Sequence, residues 1–128
     1  RSTPKPSSAA SDVYKRQVIT GAGKLKAKYV IHAVGPRMGE GDEDRKLRNA
    51  TLNSLKLAEK HGIKSMAFPA ISTGIFGFPK DRCAKIMLRT AVDYLKAGSS
   101  IERVIFCLYD DETYQIFAEE LNRIKNEI

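Results

Sequence analysis

The chain has 128 residues, of which 42% are hydrophobic and 29% charged, and its formal net charge is +7. This is the size and composition of one globular domain, and no apolar run is long enough to cross a bilayer or to act as a secretory signal, so a cytoplasmic protein without membrane contact is expected. The charge does not favour a nucleic-acid partner, because residues 1–17 hold +3 and the remaining 7 − 3 = +4 is dispersed among acids.

Residues 1–17 differ in composition from the rest of the chain. They contain two prolines and a serine-alanine cluster, with almost no large apolar side chains. Such a segment cannot bury enough surface to offset the entropy of ordering it. We therefore expect a disordered leader, and its abrupt junction with Val18 suggests a non-native remnant of cloning or sequence assembly. The domain is expected to occupy residues 18–128.

From Val18 onward, short apolar runs alternate with helical patterns. Strands are predicted at residues 18–20, 29–34, 65–68 and 103–109, and helices at residues 43–61 and 79–96, with a last helix that carries apolar residues from Tyr114 to Ile124. Asp42 is predicted to cap the first helix and Gly62 to end it, and the last helix is expected to bury Tyr114, Phe117, Leu121 and Ile124. Strands that are apolar on both faces indicate a three-layer α/β sandwich.

Ligands of open α/β sheets bind beyond the carboxyl ends of the strands, where this chain has three notable loops. We name them the first loop (residues 35–41), the second loop (residues 69–78) and the third loop (residues 109–111). In the second loop, Gly74 and Gly77 allow main-chain N–H groups to converge before a helix N-terminus, an arrangement that binds phosphate. A plain glycine turn is the alternative.

Other side chains of the second loop fit the same interpretation. Ser72 and Thr73 supply hydroxyl donors, and Ile75 and Phe76 supply apolar cover for a sugar or a base. The loop matches neither the phosphate loop of nucleoside triphosphatases nor the GxGxxG dinucleotide fingerprint.

The first loop is the weaker candidate for a phosphate site. The helix after it begins with acidic residues 42–44, which would repel an anion, whereas the helix after the second loop begins with residues 80–82 and a local charge of +1. Tyr109, at the start of the third loop, has two open roles: stacking on a planar base or packing in the core.

The cysteines and histidines do not indicate a catalytic or metal site. Cys83 and Cys107 lie in helix and strand patterns without CxxC spacing, so both are expected to be buried thiols. His32 is interpreted as a core histidine, and His61 as a favourable charge at a helix C-terminus. No metal or cofactor is expected.

The motifs YVIHAVGP, AFPAISTGIFGFP and VIFCLYDD, in this order and at these spacings, resemble the strand ends of the macro domain family. The likeness covers residues 18–124 and implies a three-layer α-β-α sandwich with a mixed sheet that binds ADP-ribose or ADP-ribosylated substrates. The resemblance also implies roles for individual residues. The diphosphate would be bordered by Val34, Gly35 and Pro36, and the cleft would be lined by Ala70 and Ile71. The loop that wraps the diphosphate and distal ribose would consist of Ser72, Thr73, Gly74, Ile75, Phe76 and Gly77, and adenine would lie beside Tyr109.

The resemblance also implies that the N-terminal part of the family's domain is missing from this sequence. Family members begin with two strands that carry an adenine-binding aspartate, an Asn-Ala-Ala-Asn stretch and a triple-glycine loop, and residues 1–17 match none of these. The first two strands are therefore expected to be missing, and no catalytic residue is assigned. We expect the complete protein to hydrolyse ADP-ribosyl esters such as O-acetyl-ADP-ribose. The alternatives are a non-catalytic nucleotide-binding module and a weak nucleic-acid binder.

One of the missing strands lies in the middle of the family's sheet, between the strands predicted here at residues 29–34 and 65–68. The sheet is therefore expected to be split. Either these two strands pair directly, or the leader takes the vacant position, or apolar strand edges stay open and lead to low stability and self-association.

Overall fold

A computed structural model describes residues 17–21, 29–74 and 76–127. The elements follow the predicted order β-β-α-β-α-β-α, with the bounds β1 Gln17–Gly21, β2 Tyr29–Ala33, α1 Glu43–Lys60, β3 Ser65–Phe68, α2 Lys80–Lys96, β4 Arg103–Phe106 and α3 Asp111–Glu127. The predicted leader lies outside the described residues except for Gln17, which belongs to β1. None of the helices in these ranges is long and apolar enough to span a membrane.

The strands form two separate pairs. β1 and β2 are antiparallel, with Val18 opposite His32, and β3 and β4 are parallel, with Ser65 opposite Arg103. Antiparallel and parallel pairing are both present, as expected for a mixed sheet. The described strands show no pairing between β2 and β3. Among the described strands the sheet is divided into two pairs, as expected, and direct pairing of β2 with β3 is wrong. The alternative that the leader takes the vacant position lies outside the described residues.

β4 ends three residues earlier than predicted. Its parallel partner β3 ends at Phe68, whose carbonyl accepts a hydrogen bond from Cys107 N–H at 2.7 Å. The next residue is Pro69, which has no N–H to continue the ladder. The strand therefore ends at Phe106, before Tyr109, where the sequence predicted its end.

The core is built around α2, which packs against both α1 and α3. Apolar spacing in the sequence predicts core faces on both helices, with Leu47, Thr51, Leu55 and Ala58 on α1 and Ala84, Met87, Leu88, Ala91 and Leu95 on α2. All of these side chains are buried except Leu95, which is half-buried. Helical spacing of apolar residues explains this burial, because it places them on one side of each helix.

The face predicted for α3 is partly wrong. Phe117 and Ile124 are buried, but Tyr114 is 61% exposed and Leu121 is also exposed. Thr113 and Glu120 occupy the buried face instead. A ring contact fixes this rotation of the helix, since the Phe117 centroid lies 5.6 Å from that of Phe106 on β4.

One face of the β3–β4 pair is open to solvent. The side chains on it are Ser65 and Ala67 from β3 and Arg103 and Ile105 from β4, which are paired in register, and Ile105 is 40% exposed. The alternation of a β-strand continues to Cys107, which is exposed on the same side. We call this surface the open face. The expectation that Cys107 is buried is wrong for this reason.

Candidate functional site

A hydrogen bond between backbone atoms connects the first and second loops. Met38 N–H donates to Phe76 C=O at 3.0 Å, and Phe78 N–H donates to Ser72 C=O at 2.8 Å, which closes the second loop on itself. Within that loop, Thr73 Oγ1 donates to Ala70 C=O at 2.9 Å. The structure therefore brings the predicted residues of both loops together.

Ser72 has two unusual properties. Its φ is 67°, in the left-handed region that a residue with a side chain rarely adopts, and such backbone strain is often found at ligand sites. Its Oγ is buried and has no hydrogen-bond partner within the described ranges. A buried hydroxyl without a partner is energetically costly, so Ser72 is well suited to bond an incoming polar ligand.

Gly35 allows the first loop to lie directly against Ser72. A Cβ atom at this position would be 2.3 Å from both Ile71 Cγ2 and Ser72 Oγ. A larger residue therefore requires the side chains of Ile71 and Ser72 to shift. One of the positions predicted to border the diphosphate is thus a point of contact between the two loops.

Main-chain donors are available in the second loop. The N–H groups of Gly74 and Phe76 have no acceptor in the described part of the chain, whereas Gly77 N–H bonds Gly74 C=O at 3.0 Å. The first turn of α2 follows, and its N-cap residue, Pro79, provides no side-chain acceptor. Free N–H groups at a loop and a helix N-terminus favour an anion.

In the first loop, the corresponding donors are already occupied. Glu43 Oε2 accepts hydrogen bonds from Gly39 N–H at 2.8 Å and from Gly41 N–H at 3.1 Å. Hydrogen bonds from the backbone N–H groups of Glu43 itself, then Gly41 and Gly39, lower the pKa of this carboxyl. A carboxylate of the protein therefore fills the turn, which supports the second loop as the phosphate site.

The start of α1 differs from the prediction at Asp42. Asp42 adopts a left-handed conformation with φ 59° and makes no side-chain cap, so the predicted capping role is wrong. Its carboxylate pairs with Arg45 instead. The predicted stop at Gly62 is confirmed, since its φ is 72° and its N–H donates to Glu59 C=O.

The positive charge expected at the start of α2 is neutralised by distant acids. Lys80 Nζ lies 2.9 Å from Glu112 Oε1 and 3.7 Å from Asp110 Oδ2, and Arg82 pairs with Asp44. The hydrogen bond to Glu112 is the main reason that the pKa of Lys80 is raised. An anion at the second loop would therefore be bound mainly by N–H groups, because these side-chain cations are already paired.

The side chain of Tyr109 is almost fully exposed to solvent, with 99% of its area accessible. The core-packing role left open for it is therefore wrong. Asp110, the next residue, accepts a hydrogen bond from Thr113 N–H at 2.8 Å and so begins α3. Tyr109 lies three residues beyond the end of β4, next to Asp110, which pairs with Lys80 at the start of α2.

The other predicted residues differ in exposure. Pro36 is buried, Gly74 and Gly77 are exposed, and the half-buried ones are Val34, Gly35, Ala70, Ile71, Ser72, Thr73 and Phe76. Ile75 lies outside the described residues.

Sequence reasoning missed Arg37. Its guanidinium carbon lies 5.6 Å from the centroid of the Phe76 ring, a cation–π distance that links the first and second loops. No periodic or spacing signal marks this residue, because the contact depends on how the loops fold together.

The cysteine and histidine side chains contribute no reactive group to this site. Cys83 is buried behind the second loop, with Sγ 3.4 Å from Ile71 C=O, and burial raises the pKa of its thiol to about 12. His32 is half-buried on β2, and His61 Nδ1 lies 3.0 Å from Leu57 C=O. In the described ranges, no group of three or more His, Cys, Asp or Glu side chains is arranged to hold a metal ion.

Comparison with known proteins gives consistent results. A family model for the macro domain matches residues 9–87. A macro domain-containing protein of Caldanaerobacter subterraneus is 53% identical over 111 residues, covering 83% of this chain and 63% of that protein. An O-acetyl-ADP-ribose deacetylase of Escherichia fergusonii is 49% identical over 102 residues, covering 78% of this chain and 58% of that protein.

Solved structures show the same similarity. The macrodomain of Oceanobacillus iheyensis with ADP matches with a TM-score of 0.86 and 29% identity, over 90% of this chain and 61% of that one. The Trypanosoma brucei macrodomain in complex with ADP-ribose matches with a TM-score of 0.76 and 28% identity, over 82% of this chain and 44% of that one. The chain spans less than two thirds of the length of each of these proteins.

Proposed function

The chain belongs to the macro domain family and has its α/β fold, and on that premise we propose that it binds ADP-ribose through the second loop. The observation that carries the proposal is a group of donors there with no partner among the described residues: Ser72 Oγ and the N–H groups of Gly74 and Phe76. These groups suit a diphosphate, which needs several acceptor oxygens bonded at once.

The remaining predicted residues take roles around this anion site. Phe76 provides an apolar surface for the distal ribose, and the exposed ring of Tyr109 is free to stack on adenine. The first loop forms one side of the cleft, and its closeness to the second loop supports this role. Val34, Gly35, Pro36, Ala70, Ile71, Thr73 and Gly77 are the predicted lining residues.

We further propose that the whole protein hydrolyses ADP-ribosyl esters. The support is the similarity to proteins named O-acetyl-ADP-ribose deacetylase, of which this chain covers up to 63%. No residue is assigned a catalytic role, because the described site contains donors for binding but no side chain that we identify as activating water. We expect this chain alone to bind ADP-ribose and not to hydrolyse the acetyl ester. A cytoplasmic location agrees with the free thiols of Cys83 and Cys107.

Isothermal titration calorimetry with ADP-ribose, AMP and a short oligonucleotide tests the binding proposal. Selective binding of ADP-ribose supports it, equal binding of AMP favours a general nucleotide module, and salt-sensitive binding of the oligonucleotide alone would refute it. Gly74→Val is a suitable variant, since a Cβ at Gly74 meets no atom within 4 Å. The variant should keep its melting temperature and lose binding, because the new side chain would occupy the space proposed for the diphosphate.

We also propose that the open face and strand edges promote self-association. Ile105 exposes an apolar side chain beside Ala67, and β3 has a hydrogen-bonded partner on one side only within the described residues. Ile105→Lys should reduce the association seen by sedimentation velocity as protein concentration rises. A wild-type chain that stays monomeric at every concentration would contradict this proposal.

A further inference from the structure

Helices α1 and α2 enclose a groove of about 620 Å³ that contains none of the residues of the three loops. The helices run in the same direction, since Arg82 pairs with Asp44 near their starts and Tyr94 OH donates to Glu59 Oε1 at 2.7 Å near their ends. A polar contact therefore joins the two helices at each end of the groove.

The groove has an apolar floor. Leu52 from α1 and Ile86 from α2 line it, and both are only half-buried. Ile86 also packs against the protein core, which limits its movement. Partly exposed aliphatic side chains that line one groove can gain stability by burial against a ligand.

Two cations on the walls have no acidic partner in the described part of the chain. They are Arg48 on α1 and Lys85 on α2, both exposed. By contrast, Arg89 at the groove pairs with Glu127. These two cations lie on opposite helices and both line the groove, so they favour an anionic ligand there.

We propose that this groove binds an acidic peptide segment of a partner protein, with apolar side chains on the floor and carboxylates beside Arg48 and Lys85. A peptide fits better than a nucleic acid, because Leu52 and Ile86 offer no ring on which bases could stack, and the aromatic residue of the lining, Tyr94, has its OH bonded to Glu59. The chain's own residues 1–17 do not fit, since they carry the same sign of charge as the walls.

The test uses fluorescence anisotropy with a fluorescein-labelled peptide, Glu-Leu-Glu-Glu-Leu-Glu, and the same peptide with Gln in place of Glu. The acidic peptide should bind and the Gln peptide should not. The double variant Arg48→Glu/Lys85→Glu should weaken binding roughly tenfold, because two favourable ion pairs become repulsive. Increasing salt should weaken binding to the unmodified chain.

A matched control reverses the same number of charges elsewhere. Lys64→Glu/Lys125→Glu changes two exposed lysines that are not among the groove residues, and it should leave peptide affinity unchanged. Leu52→Gln tests the floor and should weaken binding without a change in charge. Circular dichroism melts of each variant establish that the fold is retained before binding is compared.

Three results would overturn the proposal. The first is equal affinity of the acidic peptide for the unmodified chain and for Arg48→Glu/Lys85→Glu. The second is binding of a labelled oligo-dT, but not of the peptide, in a manner that depends on these two cations. The third is a lack of peptide binding together with self-association that the double variant abolishes, which would make the occupant a second copy of the chain.

Discussion

Gly35 and Ser72 approach each other so closely that a Cβ atom on Gly35 would lie 2.3 Å from Ser72 Oγ. Gly35→Ala should therefore separate the first and second loops, with a loss of about 1–3 kcal/mol in the free energy of unfolding. Urea denaturation measures this loss. Gly74→Ala is the matched control and should be neutral, since its Cβ meets nothing within 4 Å. Equal stability of the two variants would show that the loops can move apart without cost.

The carboxylate of Glu43 should make stability depend on pH. Its pKa is lowered in the folded protein, so it stabilises the fold above its ordinary value of 4.5, and this stabilisation is lost as the pH falls through the lowered value. Glu43→Gln should thus lose less stability on acidification than the unmodified chain. Glu119→Gln, at an exposed site on α3, is the control and should follow the unmodified chain in urea melts at each pH. Identical pH curves for all three proteins would contradict the prediction.

Tyr109→Ala should separate binding from stability. The side chain is 99% exposed, so its removal should not change the melting temperature. The affinity for ADP-ribose should fall about fivefold, which corresponds to roughly 1 kcal/mol of stacking. Tyr114→Ala removes another exposed ring, on α3, and should leave the affinity unchanged in calorimetry. An unaltered affinity of Tyr109→Ala would remove Tyr109 from the site.

The two thiols should differ strongly in reactivity. Cys107 is exposed, whereas Cys83 is buried and its pKa is raised to about 12, so it is almost entirely protonated at neutral pH. Ellman's reagent should therefore titrate Cys107 alone in the native chain and both thiols in urea. Cys107→Ser should abolish the native reaction. Rapid reaction of that variant would mean that Cys83 becomes accessible through opening of the second loop.

Local patterns in the sequence predicted the order of the elements and the second loop, because helical periodicity and glycine placement act over a few residues. They did not predict the charges at the start of α2. Lys80 pairs with Glu112 across 32 positions and Arg82 with Asp44 across 38 positions. A local charge count cannot include such partners, since they meet only after the sheet and helices are assembled.

The rotation of α3 has a similar explanation. Tyr114 and Phe117 are both plausible core residues by spacing, and the choice between them is made by Phe106 on β4, which contacts Phe117. The close approach of Gly35 to Ser72 likewise depends on two loops that are distant in sequence. A resemblance to a family identified these loop residues as neighbours, whereas spacing alone identified them only as candidates.

The hydrogen bond from Met38 N–H to Phe76 C=O provides a natural reporter of ligand binding. Its donor lies in the first loop and its acceptor in the second, so the amide proton of Met38 should exchange with solvent only when the two loops come apart. A ligand that holds the loops together should slow this exchange. Slower exchange of the Met38 amide proton would then report ligand binding, even if Met38 does not contact the ligand.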